Sequence, residues 1–132
     1  MELGDWCEAG PPLLPARANV SFVEVRGQDL FVRTYERGVG ITDSCGSAMA
    51  SAIYAAGRTG RIAFGSRIKV FNKGGLVMGE ADAGGMVTIF GNATFLYDAT
   101  IEVDPDIAIA EPPLIHARRE DEAAAWAAAI PA

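Results

Sequence analysis

The chain has few of the residues from which metal centres are built. Its 132 residues include two cysteines, Cys7 and Cys45, and one histidine, His116. The cysteines have no CxxC spacing, which argues against a zinc or iron–sulfur site. Two isolated thiols read instead as reduced cysteines of a cytoplasmic protein. Positive charge is also scarce, with 11 Lys+Arg against 17 Asp+Glu and a net charge of −6. No basic stripe is available to neutralise phosphates, so a nucleic-acid partner is not expected. No apolar run approaches the ~18 residues that read as a transmembrane helix, so no membrane partner is expected either. Met1–Gly10 carries Glu2, Asp5 and Glu8 without a basic n-region, unlike a secretory leader. What remains is a globular composition, half hydrophobic and about one fifth charged, in one domain's length.

Gly10-Pro11-Pro12 and Pro15 punctuate residues 1–18, which read as an irregular N-terminal segment. From Asn19 the pattern is that of strands. Val20–Arg26 alternates in polarity, Gly27-Gln28-Asp29 is a turn, and Leu30–Tyr35 is β-branched and aromatic, so the two runs predict a hairpin. Gly38–Ser44 reads as a glycine-containing loop in which Thr42, Asp43 and Ser44 are all good N-cap types. Cys45–Ala56 carries no charge. A helix apolar all round is expected to be buried on all sides, with Gly57 as its stop. Strands are expected at 61–64, 67–72, 76–81, 86–90 and 93–103, separated by Gly-rich turns. The expected fold is α+β: a curved, mainly antiparallel sheet wrapped around one central buried helix, over residues 19–103. Residues 104–132 read as a Pro-containing linker and a short C-terminal helix over Ala123–Ala129.

Cys45 is the most informative residue. A thiol at a helix N-terminus feels the positive end of the helix dipole and the unpaired backbone N–H groups, which favour a thiolate. The same amides suit a substrate carboxylate. Without its neighbours Cys45 would read as an inert buried cysteine, and Glu36-Arg37 as a strand-end surface ion pair. Those neighbours are Tyr35-Glu36-Arg37-Gly38-Val39-Gly40, running through Ile41-Thr42-Asp43-Ser44 to Cys45-Gly46-Ser47. Two further stretches accompany them, Gly10-Pro11 through Pro15-Ala16-Arg17 to Asn19-Val20-Ser21-Phe22-Val23, and Gly91-Asn92-Ala93.

On these motifs residues 10–103 resemble the C-terminal half of the diaminopimelate epimerase family. The resemblance implies one of two pseudo-symmetric halves, each a sheet around a central helix with a cysteine at its start. It implies a cofactor-independent amino-acid epimerase of lysine and cell-wall biosynthesis, in which one thiolate removes the α-proton and a second thiol returns a proton to the opposite face. Carried over by position, Cys45 is the acid/base thiol of this half and Glu36 assists it. Asn19, Glu36, Arg37, Gly46 and Ser47 contact the amino-acid substrate.

The chain departs from the family in several places. Ile41-Thr42-Asp43-Ser44 stands where the family often has Glu-Thr-Leu-Ala, and an uncompensated Asp43 would disfavour a thiolate next door. Ala48 replaces a frequent glycine, and the approach to Asn19 is short. The first half of the fold has no counterpart. Cys7 lacks the Gly-Asn context of its cysteine, and His116 lies outside the matched region as a surface residue. Activity would therefore require the missing half as a separate chain, or a homodimer that sets Cys45 opposite its copy. The alternative is a degenerate or truncated half that binds an amino acid or a protein without catalysis.

Overall fold

The computed structural model describes residues 2–129. They divide into two compact units, the first running to Asn92 and the second from Ala93 to Ala129. The composition shifts later, at Asp104.

In the first unit, β1 (Val20–Arg26) and β2 (Asp29–Glu36) form the expected hairpin, in register from Val20↔Tyr35 to Arg26↔Asp29. Gly27 makes the tight turn with a φ of 65°, a conformation that costs glycine little. The other side of β2 is shared. Its C-terminal half pairs with β3 (Gly40–Thr42), and Leu30 and Phe31 pair parallel with Val70 and Phe71 of β4 (Ile68–Asn72). β5 (Gly75–Ala81) and β6 (Val87–Phe90) extend the sheet antiparallel, giving the order β1-β2-β4-β5-β6 with β3 beside β2. The parallel pair needs a crossover, and the helix α2 (Gly46–Arg58) supplies it. The architecture is α+β, antiparallel except at β2–β4.

α2 buries Ala48, Met49, Ala52, Ile53 and Ala56, which pack with Leu30, Val32, Ile68 and Val70 of the sheet. That spacing is a single helical stripe. Ser47, Ser51 and Ala55 on the opposite face are exposed. The expectation of a helix buried on all sides is therefore corrected. Uncharged Ala and Ser made the run look apolar all round, yet both residue types tolerate water. The sheet also stays open at its β1 edge. Val23 and Val25 lie opposite Val32 and Leu30 in register and so share their face, but remain 42% and 38% exposed. A groove of about 230 Å³ runs along this opening, lined in part by Val23, Val25, Ala52 and Ala55.

The end of α2 also differs from expectation. Gly57 lies inside the helix, where its missing Cβ admits the Phe64 ring, whose Cε1 would be 2.5 Å from a Cβ there. The stop is Gly60, at φ 70°, with Gly60 N donating to Gly57 O (3.1 Å) and Arg61 N to Ala56 O (2.9 Å). This is a Schellman closure. The strand expected at 61–64 does not form. Ile62 fills the core, and the Phe64 ring packs on Tyr54 with centroids 5.9 Å apart.

The N-terminal segment is partly helical where an irregular one was expected. α1 (Glu2–Glu8) ends before the first proline, so nothing in residues 2–8 denies it a helix. It lies over the Tyr35 ring at Gly4, a position where a Cβ would collide with that ring, and it buries Cys7.

The second unit pairs β7 (Tyr97–Thr100) with β10 (Leu114–Arg118) and closes a small hairpin of β8 (Val103–Asp104) and β9 (Ile109–Ala110). The single strand expected over 93–103 is thus two short ones, and part of the expected linker is paired. α3 (Glu120–Ala129) follows, with no residue buried. Among the described residues no helix is long and apolar enough to cross a membrane.

Candidate active site

The site begins at the end of β2. After Glu36 the chain turns through Arg37-Gly38-Val39, closed by Val39 N donating to Glu36 O at 3.0 Å. Gly38 and Gly40 have φ of 79° and 91°, the left-handed region where a side chain is strained. The expected glycine loop is therefore largely a β2–β3 hairpin. In it Thr42 Oγ1 donates to Glu36 Oε1 at 2.5 Å, tethering the carboxylate to the strand that leads into Cys45.

Cys45 itself is the N-cap of α2, with extended φ −144° and ψ 103°, and Met49 N donates to its carbonyl at 3.0 Å. The better capping residues, Thr42, Asp43 and Ser44, fall too early in the chain. The Cys45 side chain makes no capping hydrogen bond, because sulfur is a weak acceptor. The first amides of α2 consequently receive no oxygen from the N-cap residue, the usual source of one. Cys45 is half-buried, and its Sγ lies 3.4 Å from Ser47 Oγ. Gly46 and Ser47 are exposed beside it.

A second segment supports this loop, and sequence reasoning took it for a plain hairpin turn. In the β4–β5 turn Gly74 N donates to Asp43 O at 2.7 Å, and a Cβ on Gly74 would meet that oxygen at 3.0 Å. Lys73 Nζ lies 3.3 Å from Asp43 Oδ1, offsetting the carboxylate charge two residues before the thiol. Asn72 Nδ2 donates to Ser44 Oγ at 3.0 Å. These contacts join residues about thirty apart in sequence, and no local pattern signals them.

Asn19 and Arg37 meet each other at the hairpin turn. Asn19 Oδ1 accepts from Arg37 N at 2.8 Å, and Arg37 Nη1 donates to Ala16 O at 2.7 Å. Glu8 Oε1 accepts from Gly38 N at 2.7 Å and from Arg17 Nη2 at 2.9 Å. The structure thus places Glu36, Cys45, Gly46 and Ser47 along one hairpin-to-helix path, and holds Asn19 and Arg37 in bonds to the backbone of the turn and its N-terminal neighbour. Cys7 is buried in α1. His116, exposed as expected, has its Nε2 2.7 Å from Thr100 Oγ1 within the second unit. Among the described residues no group of three or more His, Cys, Asp or Glu side chains could hold a metal ion.

Chemically, a partly exposed thiol beside helix amides can exchange a proton next to a bound carboxylate.

Comparison with known proteins agrees with the motifs. The chain is 37% identical over 109 residues to the diaminopimelate epimerase of Clostridium acetobutylicum, covering 79% of this chain and 33% of that protein. It is 38% identical over 110 residues to that of Lactiplantibacillus plantarum, covering 77% and 33%. It is 43% identical over 93 residues to that of Enterococcus faecalis, covering 65% and 28%. The chain spans about a third of the length of the curated relatives it matches. No protein-family model matches it.

Proposed function

We propose that this chain, related to the diaminopimelate epimerases, is the C-terminal half of a cofactor-independent amino-acid epimerase that interconverts LL- and meso-diaminopimelate for lysine and cell-wall synthesis in the cytoplasm. The observation that carries this reading is Cys45 standing half-buried as the N-cap of α2, its own side chain making no capping hydrogen bond to the helix amides.

In the proposed reaction the substrate α-carboxylate docks on those amides. The Cys45 thiolate takes the α-proton, so a C–H bond breaks, an S–H bond forms, and the electron pair stays on carbon. Dipoles already aimed at the carboxylate stabilise the carbanion-like transition state without reorganising. Glu36, at the end of β2 and tethered through Thr42 to the strand that feeds the thiol, assists proton handling. Ser47 lies within reach of the sulfur. Asn19 and Arg37 contact substrate polar groups. Protonation of the opposite face needs a second acid, supplied by the missing half or by the Cys45 of a homodimer partner. The sheet wraps α2 incompletely in the chain alone, and the half-exposed Val23 and Val25 are apolar surface such a partner would cover.

The test is a chiral assay of diaminopimelate with this chain alone, and with the N-terminal part of the Clostridium acetobutylicum relative added. Interconversion that is lost in Cys45→Ala is the expected result. Absence of interconversion in every combination would remove the epimerase reading.

A non-catalytic binding module is the second reading. What favours it is that Asn19 and Arg37 already make intramolecular bonds at the hairpin turn. It predicts amino-acid binding by calorimetry, with no chemistry at the α-carbon.

A further inference from the structure

We propose that Asn72 is a positioning residue for Cys45, holding the thiol at the mouth of α2 from a strand far away in sequence. This rests on the reading of Cys45 as an acid/base group.

Asn72 ends β4 and is only 3% exposed. Its Nδ2 donates to Ser44 Oγ at 3.0 Å and lies 3.2 Å from Met49 Sδ. Ser44 is the residue before Cys45, and Met49 is the residue whose N–H closes the first helical bond onto the Cys45 carbonyl. One amide group thus spans Cys45 from both sides, joining the incoming loop to the first turn of α2. A cysteine N-cap provides no side-chain bond of its own, so the extended backbone at Cys45 is held from outside. Gly74 N on Asp43 O reinforces the same grip two residues earlier.

The remaining Asn72 atom is the telling one. Among the described residues its Oδ1 is buried without a hydrogen-bond partner. An orphaned buried carbonyl destabilises a fold, and leucine fills nearly the same volume in a strand without that penalty. A purely structural position would therefore be served better by leucine. Asparagine makes sense here for what its Nδ2 holds.

The charged groups tied to this loop are Glu36, through Thr42, and the Asp43–Lys73 pair. β6 contributes the apolar Ile89 beside Gly46. None of these changes in the variants below, so a shift in thiol behaviour reports the position of Cys45.

The experiment is alkylation of the full chain by iodoacetamide across a pH series, with the Cys45 peptide quantified by mass spectrometry to separate it from buried Cys7. Variants are Asn72→Leu, Ser44→Ala and the double substitution, each checked by circular dichroism. A sulfur released from the helix amides loses their stabilisation of its thiolate. Cys45 alkylation in Asn72→Leu should therefore slow about three-fold across the pH series. Ser44→Ala should slow it the same way, and the double variant no further than Asn72→Leu, because both substitutions remove the Asn72–Ser44 contact. Stability of Asn72→Leu should be unchanged or raised. Unmoved profiles in both single variants would overturn the proposal. If Asn72→Leu fails to fold, Ser44→Ala decides alone. A shifted profile in a protein that never exchanges an α-proton would leave the positioning role standing and remove the epimerase reading.

Discussion

Tyr35 shows how a single side chain ties the N-terminal segment to the site hairpin. Its phenol donates to Asp5 Oδ1 at 2.6 Å beneath α1. That hydrogen bond, then burial, then the charges of Asp5 and Glu8 favour the neutral phenol and push its pKa from 10 up to about 12. The unfolded chain ionises first, so this contribution is fully present below pH 10 and is lost as pH rises through about 12. Urea unfolding at stepped alkaline pH should show wild type losing stability across that window more steeply than Tyr35→Phe. Parallel slopes would contradict the assignment. Asp5→Asn should bring the Tyr35 titration back toward 10 in ultraviolet difference spectra. At this scale the sequence singled out Cys45 and Glu36 as candidates, because an ordered motif surrounds them. It was silent about Asn72 and Lys73, whose roles depend on a turn about thirty residues away folding back onto Asp43 and Ser44.

At the scale of elements, α2 carries the candidate thiol at its start, and its two ends were legible to different degrees. The start was placed within a residue by the uncharged run that opens at Cys45, although Cys45 itself takes the cap that Thr42, Asp43 or Ser44 would fill better. The end was misplaced because glycine has two meanings. Gly60 is a glycine for its positive φ, whereas Gly57 is one for the ring that leans on it, and composition alone does not separate the two. Gly57→Ala tests the distinction. Helix propensity alone favours alanine by about 1 kcal/mol, but overpacking against Phe64 costs ~1–3 kcal/mol. Chemical denaturation should show Gly57→Ala destabilising in wild type and stabilising in a Phe64→Ala background. A stabilising effect in both would mean that the close approach of Phe64 is not what selects glycine. β1 and β2 were readable from alternation and their turn. The parallel β2–β4 pairing was not, since register between distant strands is set by the shared core of Leu30, Val70 and α2, which no local window contains.

For the whole molecule, every residue of the candidate site lies in the first unit, between Glu8 and Gly74. A chain ending at Asn92 should therefore keep the far-ultraviolet signature of the sheet and helix, and the pH profile of Cys45 alkylation. Loss of that profile would place part of the site in residues 93–129. The chain matches the epimerases over a third of their length, and its sheet edge at β1 leaves Val23 and Val25 part exposed. In the proposed reaction, proton abstraction on one face uses the Cys45 thiolate. The most direct measurement is incubation of diaminopimelate with the chain in deuterium oxide, followed by mass spectrometry of the α-carbon. Deuterium incorporation that disappears in Cys45→Ala is the predicted result. Incorporation that persists in Cys45→Ala would contradict the account, as would none in wild type with the N-terminal part of a relative present.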